Sequence, residues 1–291
     1  SLKGLKRIRD AMLVQGVSLP LILLILIFPL SEIAGITGLA WSYVIASLLA
    51  ALLGIFVWKK NMSKHIFSPE IFPFYKLWES CKPLLVVSFM NSALMPWAPV
   101  ILLGIWVDSV EVGVFSVATR VALLLSFMLL AINNIVAPKF AELYAKKDMV
   151  SLGQTARRSA LLITLMASPL FFVLFFYGDW VLSMFGKEFM DGNKVLSVLA
   201  IGQLINVICG SVGFLLMMSA NEKIYRNITM ISGVVQLILT LVLVPKMGGI
   251  GAAIASSIAL VVLNVSAVFA VYSKLEIILF PLLWRTISVR K

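Results

Sequence analysis

Apolar residues in this chain fall in blocks of about twenty, separated by short polar stretches. Blocks of this length suffice to cross about 30 Å of hydrocarbon. In lipid such a block must be helical, because no water is present to satisfy its backbone groups. The blocks do not alternate apolar and polar positions, which excludes a barrel. The pattern predicts an all-α polytopic membrane protein with about eight spans, near residues 11–30, 39–58, 84–106, 112–136, 159–177, 195–218, 228–244 and 251–272. A last apolar stretch, 275–284, is too short to span. It holds Pro281 and is followed by Arg285, Arg290 and Lys291, so it is expected at the interface.

Charge supports the count. The formal net charge is +11, and the segments between spans alternate in it. The odd segments (1–10, 59–82, 139–158, 219–226 and the tail from 274) hold 20 of the 24 Lys and Arg. The even ones hold only Lys187, Lys194 and Lys246. By the positive-inside rule the odd segments, and both ends of the chain, are cytoplasmic. A missed or false helix would break this alternation. The charge is therefore an orientation signal and a lipid-headgroup contact, and no nucleic-acid partner is expected.

Composition agrees: 61% of the residues are hydrophobic and 13% charged, against about 45–50% and 25% in soluble domains. No signal-peptide cleavage site precedes the spans. Cys81 and Cys209 lack a CxxC partner, and His65 is the single histidine, so neither a disulfide nor a metal site is expected.

Two parts of the chain echo each other. The second span opens Gly35-Ile-Thr-Gly38-Leu-Ala40 and the eighth opens Gly248-Gly-Ile-Gly251-Ala-Ala253. Pro29 and Pro245 precede these openings, and Gly16-Val17 and Gly233-Val234 sit near the starts of the spans before them. Paired repeats are common in transporters. A six-helix unit would make spans three to eight complete, with spans one and two the end of another unit. The expected division is 1–76, two helices and a basic linker, and 77–291, six helices and a short tail. This arithmetic, with the start at Ser1, leads to the expectation that the sequence is a C-terminal fragment.

Candidate chemistry is sparse. No Asp or Glu lies inside a span, and no DxD, GxSxG, P-loop or His cluster is present. An enzyme is not expected, nor a carboxylate proton relay within these spans. Arg120 lies about two turns into the fourth span. A charge at the bilayer centre costs at least about 2.5–3.5 kcal/mol on insertion scales, which favours a hydrated cavity or an anionic partner. Its planar fork suits phosphate. The alternative is an outward reach toward Asp108 or Glu111. Asn91, Asn133, Asn134, Gln203, Asn206 and Gln236 are further cavity candidates, and Asn264 lies in the eighth span; each alone is more often helix–helix glue. Pro96 and Pro99 in the third span should bend it, as a static kink or as a hinge. The scattered Met residues are packing groups, and Trp41, Trp58, Trp106, Tyr177 and Trp180 are interfacial anchors.

The blocks Val112-Gly-Val-Phe-Ser-Val-Ala-Thr-Arg120 and Ala131-Ile-Asn-Asn-Ile-Val-Ala-Pro138-Lys-Phe-Ala-Glu142 resemble polysaccharide exporters of the O-antigen flippase type. So do Met217-Met-Ser-Ala-Asn-Glu-Lys223 and Pro245-Lys-Met-Gly-Gly-Ile-Gly-Ala-Ala-Ile-Ala255. These exporters belong to the multidrug/oligosaccharidyl-lipid/polysaccharide superfamily. The resemblance implies two six-helix lobes related by a pseudo-twofold axis around a central cavity. It implies transfer of an undecaprenyl-pyrophosphate-linked oligosaccharide across the bacterial inner membrane, for O-antigen, teichoic acid or capsule-type surface polysaccharide, with polymerase machinery as a further partner. In the related lipid II flippases an Arg in the matching helix faces the cavity, and Arg120 falls at that position. No cofactor is implied; the coupling ion, H+ or Na+, stays open. A multidrug exporter of the same superfamily and a membrane polysaccharide polymerase or ligase are the alternatives. The first would want intramembrane acids. The second would want a long outer loop with catalytic Arg or His, and the longest here, 178–194, is short and acidic.

Overall fold

A computed structural model describes residues 17–62 and 74–279 of the chain. The start of the first predicted span, His65 and most of the basic linker, and the interfacial stretch beyond 279 lie outside the described residues. The chain divides into two compact units, Ser1–Phe72 and Pro73–Lys291.

The described residues contain helices and no strand. Helix α1 is Leu19–Met62, the described part of the first unit. The second unit holds α2 (Phe74–Phe89), a π turn (Met90–Leu94), α3 (Met95–Trp106), α4 (Ser109–Ala145) and α5 (Met149–Phe176). It continues with α6 (Gly178–Ser183), a 3-10 turn (Lys187–Gly192), α7 (Asn193–Cys209), α8 (Val212–Met218) and α9 (Glu222–Leu275). Among the described residues six helices are long and apolar enough to cross a membrane, and Leu19–Glu32 is a shorter apolar one.

Helices α1 and α9 each contain two of the predicted spans, because each folds back at a glycine. Gly35 has φ 55, ψ −133, and Gly248 has φ 54, ψ −133. Only glycine adopts this region without strain. Three residues on, the chain runs back against itself. A Cβ on Gly251 would lie 2.5 Å from the carbonyl oxygen of Leu243, and one on Gly38 would overlap the carbonyl of Leu30. Both pairs are eight residues apart, which in a straight helix means about 12 Å. The connections expected as loops at 31–38 and 246–250 are thus single-glycine folds, and the echo between the two segments extends to backbone geometry.

Two further differences have physical causes. The sequence predicts one helix over 195–218, but α7 stops at Cys209 and α8 resumes at Val212. The break is at Gly210, φ 68, which packs so tightly on α5 that a Cβ would be 2.7 Å from the Ala160 methyl. The polar segment 139–158 is expected as a loop but shrinks to a turn at 146–148. Glu142 pairs with Lys139 (3.4 Å) and Lys146 (2.7 Å) one turn away, which favours helix there. Asp148 caps α5 by accepting the Ser151 N–H at 3.0 Å.

Packing uses small residues. Ala252, Ala253, Ala255, Ala259 and Ala267 on the second arm of α9 are fully buried, which lets backbones approach closely in the absence of a hydrophobic drive between helices. One apolar cluster gathers Leu103, Phe115, Leu125, Ile163, Leu182 and Leu196. A second gathers Phe140, Leu152, Leu215, Leu216 and Val271.

Candidate functional site

The second unit forms a half-open cavity of about 220 Å³. Helices α3, α4, α7 and both arms of α9 form its wall with the π turn, through Asn91, Met95, Pro96, Pro99, Phe115, Thr119, Leu123, Leu199, Gln203, Gln236, Ser256, Ser257, Leu260 and Leu263. None of these is charged. The cavity is a mostly apolar space with a few neutral polar groups converging on it, the usual make-up of a small-ligand site.

Each polar group is held by identifiable chemistry. Pro96 has no N–H for the turn before it, and the chain responds with a π turn in which the Met95 N–H reaches Met90 O. Asn91 sits in that turn and interacts with the Tyr225 hydroxyl. Pro99 likewise has no N–H for the Met95 carbonyl four residues earlier. That carbonyl is taken up by Gln236, whose Nε2 donates to it at 2.7 Å. Gln236 Nε2 also lies 3.5 Å from Ser256 Oγ.

Between α4 and α7, Ser126 Oγ donates to Gln203 Oε1 at 2.5 Å. Asn206 Nδ2 donates to Ser126 Oγ at 3.2 Å and to Gln203 Oε1 at 3.3 Å. This triad joins α4 to α7 and fixes the Gln203 amide at the cavity edge. Ser257 donates to Val198 O at 3.0 Å, and Thr119 to Phe115 O at 2.8 Å.

Of the residues singled out in the sequence, the structure brings Asn91, Gln203, Gln236, Pro96 and Pro99 to one cavity. Asn206 stands behind Gln203. Asn133 is buried, with no partner for its Oδ1 among the described residues, and Asn134 donates to Leu130 O at 2.9 Å; both lie two to four turns further along α4. Asn264 donates to Leu260 O at 2.9 Å. Arg120 is exposed and follows Thr119 directly, outside the cavity lining. It does not reach Glu111, whose Oε1 instead accepts the Gly249 N–H at 2.6 Å.

Sequence reasoning passed over Thr119, Ser256, Ser257 and the Met95 carbonyl. The three hydroxyls carry no distinguishing signal in an apolar span. The carbonyl was legible, since a proline inside a helix orphans the acceptor four residues before it.

A family model, MatE, matches residues 83–244. The chain is 25% identical over 228 residues to the "Probable low-salt glycan biosynthesis flippase Agl15" of Haloferax volcanii, an alignment covering 78% of this chain and 48% of that protein. The chain thus spans about half the length of the curated relative it matches. No solved structure matches.

Proposed function

This chain belongs to the MatE family, and from that premise we propose that it serves to move a lipid-linked oligosaccharide across the cell membrane by alternating access. The observation that carries the reading is the cavity: uncharged, mostly apolar with a few amide and hydroxyl groups, and half open between helices long and apolar enough to cross a membrane. Asn91, Gln203 and Gln236 offer amide groups to a sugar, as a multi-pass helical transporter fold allows and a lipid surface does not. Arg120 lies one residue beyond Thr119, outside the neutral lining, and its guanidinium suits the pyrophosphate that joins glycan to lipid. The relative's name, a glycan biosynthesis flippase, agrees with this class of cargo. Undecaprenyl pyrophosphate as the carrier, the bacterial inner membrane as the location, cytoplasmic termini and a role in O-antigen or related surface polysaccharide belong to the same proposal. So does a rocking motion with Pro96 and Pro99 as its hinge.

The test is reconstitution of the full chain in liposomes with a fluorescent undecaprenyl-pyrophosphate disaccharide. Movement between leaflets is read with a membrane-impermeant quencher. Transfer above that of protein-free liposomes is expected. Liposomes no faster than protein-free controls, with extrusion of cationic dyes instead, would replace this reading with a drug exporter.

A further inference from the structure

The two arms of α9 leave between them a groove of about 500 Å³ that shares no lining residue with the cavity. Ile228 and Ile231 line it from the first arm, and Val265, Ser266, Phe269 and Ala270 from the second. Phe269 is 70% exposed and Ile231 59%, so the groove opens outward. No charged residue lies between Asn227 and Pro245 or between Met247 and Ser273, which sets the groove at hydrocarbon depth. Charge returns at one end only. Lys223 and Asn227 precede Ile231 at four-residue intervals, and Lys274 follows Ser266 and Ala270 at the same interval, so the lining stripe of each arm runs into a lysine. Lys223 and Lys274 are 25 and 26 residues from the fold at Gly248, which puts them level across the mouth of the groove. Both are exposed, and neither pairs with a carboxylate among the described residues. Arg226 joins them: its Nε and Nη2 donate to Asn227 Oδ1 at 3.1 and 2.8 Å, which folds the guanidinium onto the stripe that holds Ile231. The nearby acids stand apart. Glu222 is nine residues before Ile231, two and a half turns and so on the opposite face, and Glu276 lies past the end of the helix.

Three cations at one mouth repel one another, and the groove behind them is apolar. One kind of molecule suits both features: an anionic headgroup on a hydrocarbon chain. The lengths agree. From Lys223 to Ile231, and from Lys274 to Ser266, is about 12 Å of helix, inside the half of a roughly 30 Å core that one leaflet supplies. Basic pockets between spanning helices bind anionic headgroups by this chemistry. We infer that the groove is a binding site for an anionic phospholipid of the leaflet beside Lys223 and Lys274. Its phosphate lies among Lys223, Arg226 and Lys274, and one acyl chain runs past Ile231, Val265 and Phe269. A bilayer lipid fits better than the cargo, whose glycan belongs in the cavity on other residues. Such a lipid is bound whatever the cavity carries.

The test is native mass spectrometry of the full chain in detergent, offered equal amounts of phosphatidylglycerol and phosphatidylcholine with the same acyl chains. The wild type should retain phosphatidylglycerol in preference. Arg226→Gln combined with Lys274→Gln should cut that preference roughly tenfold. Lys146→Gln combined with Lys147→Gln removes the same charge from the exposed turn between α4 and α5 and should leave the preference intact. Val265→Trp, at a position 53% exposed, fills the groove and should lower retention of both lipids. Should it fail to fold, the two charge variants decide. Equal retention of the two lipids by the wild type overturns the inference. So does an equal loss in both charge variants, which would make net charge the cause, or undiminished retention in a folded Val265→Trp. Displacement of phosphatidylglycerol by an equal amount of undecaprenyl phosphate would give the groove to the carrier lipid instead. A lipid-free wild-type dimer that Val265→Trp dissociates would give it to a second copy of the chain. Either result also overturns the inference, and none of them bears on the flippase reading.

Discussion

The carboxylate of Glu111, in the first turn of α4, accepts the backbone N–H of Gly249 at 2.6 Å across 138 residues of sequence. Gly248 has just broken the helix, so the second arm of α9 begins with N–H groups that no preceding turn can accept. A negative group at such an end is favoured by both hydrogen bonding and the helix dipole. Geometry leaves no room for anything larger: a Cβ on Gly248 would run into the same carboxylate oxygen. The fold at Gly248 is therefore held from outside by α4.

Glu111→Ala should loosen this end. A charge-assisted hydrogen bond is worth about 1.5–3 kcal/mol, and removing it should speed amide hydrogen exchange at residues 248–251 while leaving α5 and α7 unchanged. Glu111→Gln keeps an acceptor and should lie between. Equal protection in all three proteins would show that the glycine fold stands without α4.

Substitution at the fold itself should be more severe. Gly248→Ala forces an alanine into a backbone region costing of order 1–3 kcal/mol, besides the clash with Glu111. Gly251→Val adds side-chain bulk where even a Cβ would be 2.5 Å from Leu243 O, which the fold cannot relieve without opening the two arms. Both should lower the midpoint of thermal unfolding in detergent, Gly251→Val by more. The first unit offers a parallel comparison: Gly38→Val should act as Gly251→Val does, because a Cβ there meets the Leu30 carbonyl.

Arg120 is exposed, and its removal should cost the fold little. Arg120→Ala is expected to keep the wild-type unfolding midpoint and to slow transfer of a pyrophosphate-linked substrate at least tenfold. Arg120→Lys should restore part of it, since an ammonium keeps the charge but not the bidentate fork. Full transfer by Arg120→Ala at normal protein levels would remove Arg120 from the proposed pathway.

The cap of α5 makes a pH prediction. The hydrogen bonds from Ser151, backbone first, hold the Asp148 carboxyl below its ordinary range. A depressed carboxylate stabilises the fold above its unfolded pKa, near 3.9, and loses that contribution as pH falls through the lowered folded value. Between pH 8 and 5 the cap should therefore be constant. Below about 4 the first turn of α5 should fray in the wild type, read as falling amide protection near residue 151. In Asp148→Asn that protection should not depend on this titration.

Much of this protein was legible in its sequence because the reasons were local. Long apolar blocks must be helices in lipid, whatever they pack against. Pro96 and Pro99 announce a disturbed third span, and the paired glycines at 35/38 and 248/251 announce a repeat, because missing N–H groups and missing Cβ atoms act on their own backbone. Other outcomes depended on neighbours distant in sequence. The sixth span broke at Gly210 because Ala160 of another helix lies against it. Gln203 and Gln236 face one cavity while Arg120 falls outside its lining, a matter of helix rotation that composition does not encode. The Met95 carbonyl marks the boundary between the two. Pro99 alone orphans it, but only the packing of α9 against α3 brings the Gln236 amide nitrogen to it.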